Sequence, residues 1–199
     1  MTSICVLGNA GLGPDAAGAV SLTARLAGPV AMILLTEIPS DSPPESGTPG
    51  PSEPAHRLSL PPTLGAARLG SEIRQHGHPA RASWRLVTSR VQSADEALAV
   101  GELLAGQGVR PVFGVEGPVD SRATALLEGV GVCLIALREA TPEGLGVAAA
   151  ETYEALGVST QITFLPEAGI ATALVAAGIA APPGWSAPIE ACLARLRDV

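Results

Sequence analysis

The chain has 199 residues, a net charge of −7 and only 3% aromatic residues, and all twelve of its basic residues are arginine. This length suits one domain with a sizeable core, and the 47% hydrophobic and 16% charged residues argue against disorder. The absence of lysine excludes Schiff-base chemistry and the lysine of a P-loop. The arginines are scattered and the net charge is negative, so we predict no nucleic-acid binding.

The cysteines and the apolar runs indicate the compartment. Cys5, Cys133 and Cys192 are odd in number and far apart, which predicts buried, reduced core thiols and no disulfide framework. The first residues lack the basic segment of a signal peptide, and no apolar run approaches the ~18 residues of a membrane span. We therefore expect a cytoplasmic location and no integral membrane segment.

Short apolar strands alternate with helices along the chain. Strands are predicted at 3–8, 29–38, 84–88, 111–115, 131–137 and 161–165. Helices are predicted at 15–26, 63–75, 93–105, 121–128, 142–156, 168–177 and 187–197. This alternation predicts an α/β fold, with a doubly wound, mainly parallel sheet of about six strands and helices on both faces. The whole of 1–199 is predicted to form this one domain.

One segment breaks the alternation. Residues 39–62 contain PSDSPPESGTPGPSEPA, which is rich in proline, serine and glycine and has no apolar periodicity. Such a composition is typical of a flexible surface segment, so we predict an insertion there.

Several polar residues have structural explanations. Ser93 and Glu96 form an S-x-x-E capping box, and Asp120 precedes another predicted helix, so both sites are predicted helix N-caps. His76 and His78 flank a glycine at the end of a helix, where the helix dipole favours histidine. No cysteine or carboxylate cluster stands beside this His-x-His pair, and we predict no metal site.

The turn after the first strand carries the strongest functional pattern. Residues 8–15 read GNAGLGPD and open the first predicted helix, where backbone N–H groups and the helix dipole bind anions. A dinucleotide site would use GNAGLG, which is close to G-x-G-x-x-G, with Glu37 on the ribose. A degenerate P-loop and a purely structural turn capped by Asp15 are the other interpretations. The candidate cofactor-binding residues are Gly8, Asn9, Gly11, Gly13, Asp15 and Glu37.

The segment ICVLGNAGLGPDAAGAVSLTARLAG resembles the start of MinD/ParA-like P-loop ATPases, whose deviant Walker A pattern is K-G-G-x-G-K-[ST]-[ST]. The two lysine positions of that pattern correspond here to Asn9 and Pro14, and the two hydroxyl positions to Asp15 and Ala16. VFGVEGPVD resembles the Walker B strand, and ITFLPEAGIATALVAAG resembles a late strand and loop of the same family. The chain is most similar in appearance to CpaE/TadZ-type pilus-assembly proteins and septum-site-like proteins of actinobacteria.

The resemblance implies a P-loop fold whose ATPase machinery is lost. It implies no catalytic residues, no cofactor, and a pseudo-ATPase that acts as a scaffold or localisation factor. Active relatives dimerise face to face across nucleotide, so the implied partners are proteins, including a second copy. The contacting face would be the carboxyl-end face of the sheet, with Leu12, Pro14, Pro39, Arg90, Pro118 and Pro142.

Overall fold

The chain folds around a single parallel β-sheet. The structure is a computed structural model, and it describes residues 3–8, 20, 28–36, 57–60, 66–78, 86–115, 120–138, 147, 150, 151, 154, 157–165 and 183–195. The strands are β1 Ile4–Gly8, β2 Val30–Leu35, β3 Arg57–Leu60, β4 Leu86–Val91, β5 Arg110–Val115, β6 Val132–Arg138 and β7 Ser159–Leu165. Four helices have both of their ends among the described residues: α1 Ala66–His76, α2 Ala94–Gly106, α3 Ser121–Gly129 and α4 Pro183–Arg195.

The seven strands have the order β3-β4-β2-β5-β1-β6-β7, and every neighbouring pair is parallel. The prediction of an α/β fold with a parallel sheet is confirmed, with seven strands in place of about six. Consecutive strands β1 and β2 are not neighbours, because β5 lies between them. The end of β5 therefore lies beside the end of β1, with Val115 in register with Leu7.

The core forms because strand residues alternate between the two faces of the sheet. All six residues of β2 are buried, as expected for a strand covered on both faces. Ile33 and Leu35 belong to a hydrophobic cluster with residues of α1, α2 and α3. Met32 and Leu34, which alternate with them along the strand, are not part of this cluster. Helix α4 packs against β6 and β7 outside this cluster, and it buries Ile189.

The structure differs from the predicted elements most clearly in three places. Residues 57–60, placed in the flexible insertion, form the edge strand β3; the rest of 39–62 lies outside the described residues. Strand β4 covers Leu86–Val91, so Ser89 and Arg90 lie within the strand and not in the loop after it. Helix α4 begins at Pro183, four residues before the predicted start.

None of the helices that the structure describes is both long and apolar enough to cross a membrane.

Candidate functional site

The carboxyl ends of the strands form the candidate site, because parallel α/β sheets bind ligands at that edge. Strand β1 ends at Gly8, and its neighbours are β5 and β6, with Leu7 in register with Val115 and Gly8 in register with Ala136. Neighbouring strands lie about 4.8 Å apart. Gly8, the one described residue of the glycine pattern, therefore lies between the ends of β5 and β6.

The structure describes one of the six predicted cofactor-binding residues. Gly8 is the last residue of β1. The other five lie outside the described residues: Asn9, Gly11, Gly13, Asp15 and Glu37. The position of Glu37 along the chain is nevertheless informative, because it directly follows Thr36 at the end of β2.

The strand order does not match a dinucleotide-binding fold. In that fold the order is 3-2-1-4-5-6, so the second strand lies beside the first and can bring its acid to the ribose. Here β5 separates β2 from β1, and the two are about 10 Å apart in the sheet. The strand order therefore gives no support to the dinucleotide interpretation, and Glu37 itself lies outside the described residues.

A hydrogen-bonded carboxylate lies at the start of α3. Asp120 Oδ1 accepts from the backbone N–H groups of Arg122 and Ala123 at 3.0 and 3.1 Å. The prediction that Asp120 is an N-cap is therefore confirmed. Asp120 Oδ2 lies 2.8 Å from both Nε and Nη2 of Arg122. One carboxylate thus caps the helix with one oxygen and pairs with a guanidinium through the other.

Arg122 connects this helix start to the end of β2. Its Nη1 donates to the backbone carbonyl of Thr36 at 3.1 Å, across 86 positions of sequence. Thr36 in turn donates from its backbone N–H to Val91 O at 3.0 Å, and from Oγ1 to the same oxygen at 3.4 Å. We refer to Thr36, Val91, Asp120 and Arg122 as the carboxyl-edge network. It joins β2, β4 and α3.

The start of α2 adjoins this network. Ser93 Oγ accepts from Glu96 N–H at 3.1 Å, and Glu96 Oε2 accepts from Gln92 N–H at 3.2 Å. The predicted cap at Ser93 is confirmed, and Glu96 accepts from the N–H of Gln92, one residue before the N–H of Ser93 that a standard capping box uses. Arg90 is exposed near the same end of β4, whereas the side chain of Ser89 is buried.

The network has a defined charge state at neutral pH. The hydrogen bond from Arg122 and the one from the backbone of Ala123 lower the pKa of Asp120 below its usual value. An arginine guanidinium stays protonated in proteins. The pair is therefore ionic at neutral pH, and its guanidinium donates to the Asp120 carboxylate and to the carbonyl of Thr36.

The three cysteines are all free and buried, as predicted. Cys5 and Cys133 are register partners on β1 and β6, and Cys192 lies in α4. Burial raises the pKa of Cys5 and of Cys192 to about 12, and that of Cys133 well above its usual value. Because the thiolate is the reactive form, these thiols are inert in the folded protein.

The histidine pair is also structural in its geometry. His76 is the last residue of α1, and its Nε2 lies 3.8 Å from Glu72 Oε2 one turn earlier. Across the part of the chain that the structure describes, no group of three or more His, Cys, Asp or Glu side chains could hold a metal ion.

The sequence analysis missed the contact between Arg122 and Thr36. The sequence predicts a helix start at Asp120 and places Thr36 inside the strand 29–38, and neither prediction joins the two elements. A D-x-R pattern at a helix start after a buried strand indicates an Asp–Arg ion pair, because an arginine two residues after an N-cap aspartate can reach that carboxylate. Its bond to β2 depends on strand order, which local patterns do not contain.

Compared with models of known protein families and with curated protein sequences, the chain matches none.

Proposed function

We propose that the protein is a non-catalytic pseudo-ATPase that works through protein contacts. It serves as a cytoplasmic scaffold or localisation factor, in pilus or secretion-machine assembly or in septum or pole positioning. The observation that carries this proposal is a P-loop-like arrangement of strands in a chain without lysine.

The strand arrangement supports the resemblance to P-loop proteins. In those proteins the Walker A hydroxyl and the Walker B acid hold the same Mg²⁺, so the two strands that carry them must end close together. The segment that resembles Walker B begins within β5 at Val112, and β5 pairs directly with β1. This pairing supports the resemblance, because the strands of the two motif-like segments end side by side, whereas β2, the strand of the dinucleotide alternative, lies two positions from β1.

The residues of the glycine turn argue against triphosphate chemistry. Asn9 and Pro14 replace the lysines that bind the transferring phosphates, and Pro14 also lacks a backbone donor. Asp15 adds a carboxylate near the expected phosphates, and two like charges at ~4 Å repel by ~1 kcal/mol in water and ~4 kcal/mol at an effective dielectric of 20. Together these losses favour a binding role without hydrolysis.

Calorimetric titration with Mg·ATP at about 1 mM tests the loss of nucleotide binding. We expect no saturable heat, because neither the lysine charges nor the Mg²⁺-binding hydroxyls are present. Saturable binding of Mg·ATP would contradict the proposal. Saturable binding of NAD or NADP in parallel titrations would instead favour the dinucleotide alternative.

Light scattering at high protein concentration tests the proposed face. We expect a dimer or a captured partner complex that Leu12→Glu and Arg90→Glu weaken, since the sequence predicts both residues at the carboxyl-end face. Arg74→Glu is the matched control, because Arg74 is exposed in the last turn of α1, the end of the helix that adjoins the start of β2. A monomeric wild type whose partner complexes neither substitution weakens would overturn this part of the proposal.

A further inference from the structure

We propose that Arg122 is a built-in tie that orders the carboxyl edge of the sheet without a bound ligand. It links the start of α3 to the end of β2 through Asp120 and Thr36. The hydrogen bonds of Arg122 alone support this tie. Only the comparison with nucleotide-bound relatives rests on the proposed function.

The geometry of the guanidinium is suited to this role. Nε and Nη2 both bind Asp120 Oδ2 at 2.8 Å, and Nη1 binds Thr36 O at 3.1 Å. The planar fork of arginine holds these directions together, whereas a lysine ammonium would act as one mobile point charge. Asp120 is itself fixed, because its other oxygen caps α3. The carbonyl of Thr36 is therefore attached to a rigid support.

The tie acts on the last contact between β2 and β4. The paired part of β2 ends at Leu35, in register with Val91. Thr36 extends the contact by one residue through its bond from N–H to Val91 O at 3.0 Å. By holding the carbonyl side of Thr36, Arg122 keeps this residue in line with the strand.

In nucleotide switches, contacts to Mg²⁺ and the γ-phosphate order the segments at this edge, and the order is lost with the ligand. Here the ordering cation is a side chain of the chain itself. Thr36 is the last residue before the connection that follows β2. Asp120 is the last residue of the connection between β5 and α3. The tie therefore joins the ends of two connections. A permanent internal cation would leave the edge in one state, which suits a scaffold better than a switch.

Hydrogen exchange of the full chain, followed by mass spectrometry, tests the tie. We expect the Thr36 amide to exchange at least about tenfold faster in Arg122→Gln than in the wild type, because local opening at that residue becomes easier. Amides in β6 and β7 should not change. Arg68→Gln, an exposed substitution on α1, is the matched control and should leave Thr36 unchanged.

Two further variants separate the tie from the helix cap and from folding. Asp120→Asn removes the carboxylate charge that holds Arg122, so the Thr36 amide should exchange faster. The substitution keeps a capping oxygen, so the Arg122 and Ala123 amides should remain protected. Arg122→Lys keeps the charge without the fork, and Thr36 should again exchange faster. This second variant preserves the test if Arg122→Gln does not fold.

The outcomes distinguish this proposal from the proposed function. Exchange at Thr36 within about twofold of wild type in both Arg122 variants would overturn the tie, as would equal acceleration in β6 and β7. A change in wild-type protection on adding Mg·ATP would instead contradict the proposed function. The tie would still stand if the Arg122 variants behaved as expected.

Discussion

Gly77, the residue after α1, lies at a close approach between the end of that helix and the start of β2. A Cβ at this position would lie 2.8 Å from both Ile73 O and Val30 O. Two backbone hydrogen bonds hold this approach in place: Gly77 N–H donates to Ile73 O, and Val30 N–H donates to Gly77 O. A side chain must therefore displace either the end of α1 or the start of β2.

We expect Gly77→Ala to lower the free energy of unfolding by about 1–3 kcal/mol, the usual cost of extra atoms in a packed site. Gly106→Ala is the matched control, because nothing lies within 4 Å of a Cβ there. Urea denaturation measures both variants. Equal unfolding free energies for the two variants would contradict this account.

The ion pair of Asp120 predicts a pH dependence of stability. The folded pKa of Asp120 lies below the value of about 3.9 expected in the unfolded chain. Its contribution is therefore fully present above roughly pH 4 and is lost as the pH falls through the folded pKa.

We expect Asp120→Asn to be less stable than the wild type near neutral pH, with the difference shrinking below roughly pH 4. Asparagine retains the helix cap, so the difference reports the charge. Unfolding free energies measured between roughly pH 2 and pH 7 provide the check. A difference that does not vary with pH would assign the effect to the cap.

At the scale of elements, the start of α2 is stabilised by its capping box. Ser93→Ala removes the acceptor of the Glu96 N–H, and we expect a loss of about 1 kcal/mol in unfolding free energy. Ser121→Ala is the control, because Ser121 is an exposed first residue of α3 and not its cap. Thermal and urea unfolding of both variants test this, and similar losses would rule out the cap as the cause.

Element identity was largely predictable from the sequence where apolar runs and caps agree. Strand β5 is apolar from Pro111 onward, and the caps at Ser93 and Asp120 mark the starts of α2 and α3 to within one residue. These features are local, so propensity and periodicity are sufficient. The same reasoning places Cys5 and Cys133 in buried strands.

Elements were missed where a distant partner determines the structure. Strand β3 has only four residues, RLSL, after a proline-rich segment, and it exists by pairing with β4 at the edge of the sheet. Helix α4 contains Pro188, and the predicted start of this helix, at residue 187, lies next to that proline. A proline is tolerated most easily in the first turn of a helix, so packing against β6 and β7 must offset its cost.

At the scale of the whole molecule, strand order was the least predictable feature. Each βαβ step is local, but the insertion of β5 between β1 and β2 joins segments about 80 to 110 residues apart. Nothing in the short-range pattern of either segment encodes that choice. The carboxyl-edge network depends on it, which is why its members could be recognised only singly from the sequence.

The sheet also limits how far the connection after β2 can be shortened. Strand β3 is parallel to the rest of the sheet and lies two positions from β2. A parallel crossover needs a dozen or more residues. Deleting 40–55 outright would leave five residues, 36–39 and 56, between the two strands.

We expect replacement of 40–55 by an eight-residue Gly/Ser linker to cost less than about 1 kcal/mol, because loop entropy changes slowly with length. Outright deletion should detach β3 and expose β4. Hydrogen exchange of the β4 amides together with urea denaturation tests both designs. Loss of β4 protection with the eight-residue linker would show that 40–55 stabilise the fold.

The central position of β1 has a consequence for synthesis. Both partners of this strand, β5 and β6, begin more than a hundred residues after it, at Arg110 and Val132. At the usual elongation rates, a nascent chain carries β1 without a partner for about 5–20 s. During that time the apolar residues of β1 and β2 are exposed to other chains and to chaperones. The order in which the ribosome makes these strands therefore sets an interval in which the nascent chain is open to association with other chains.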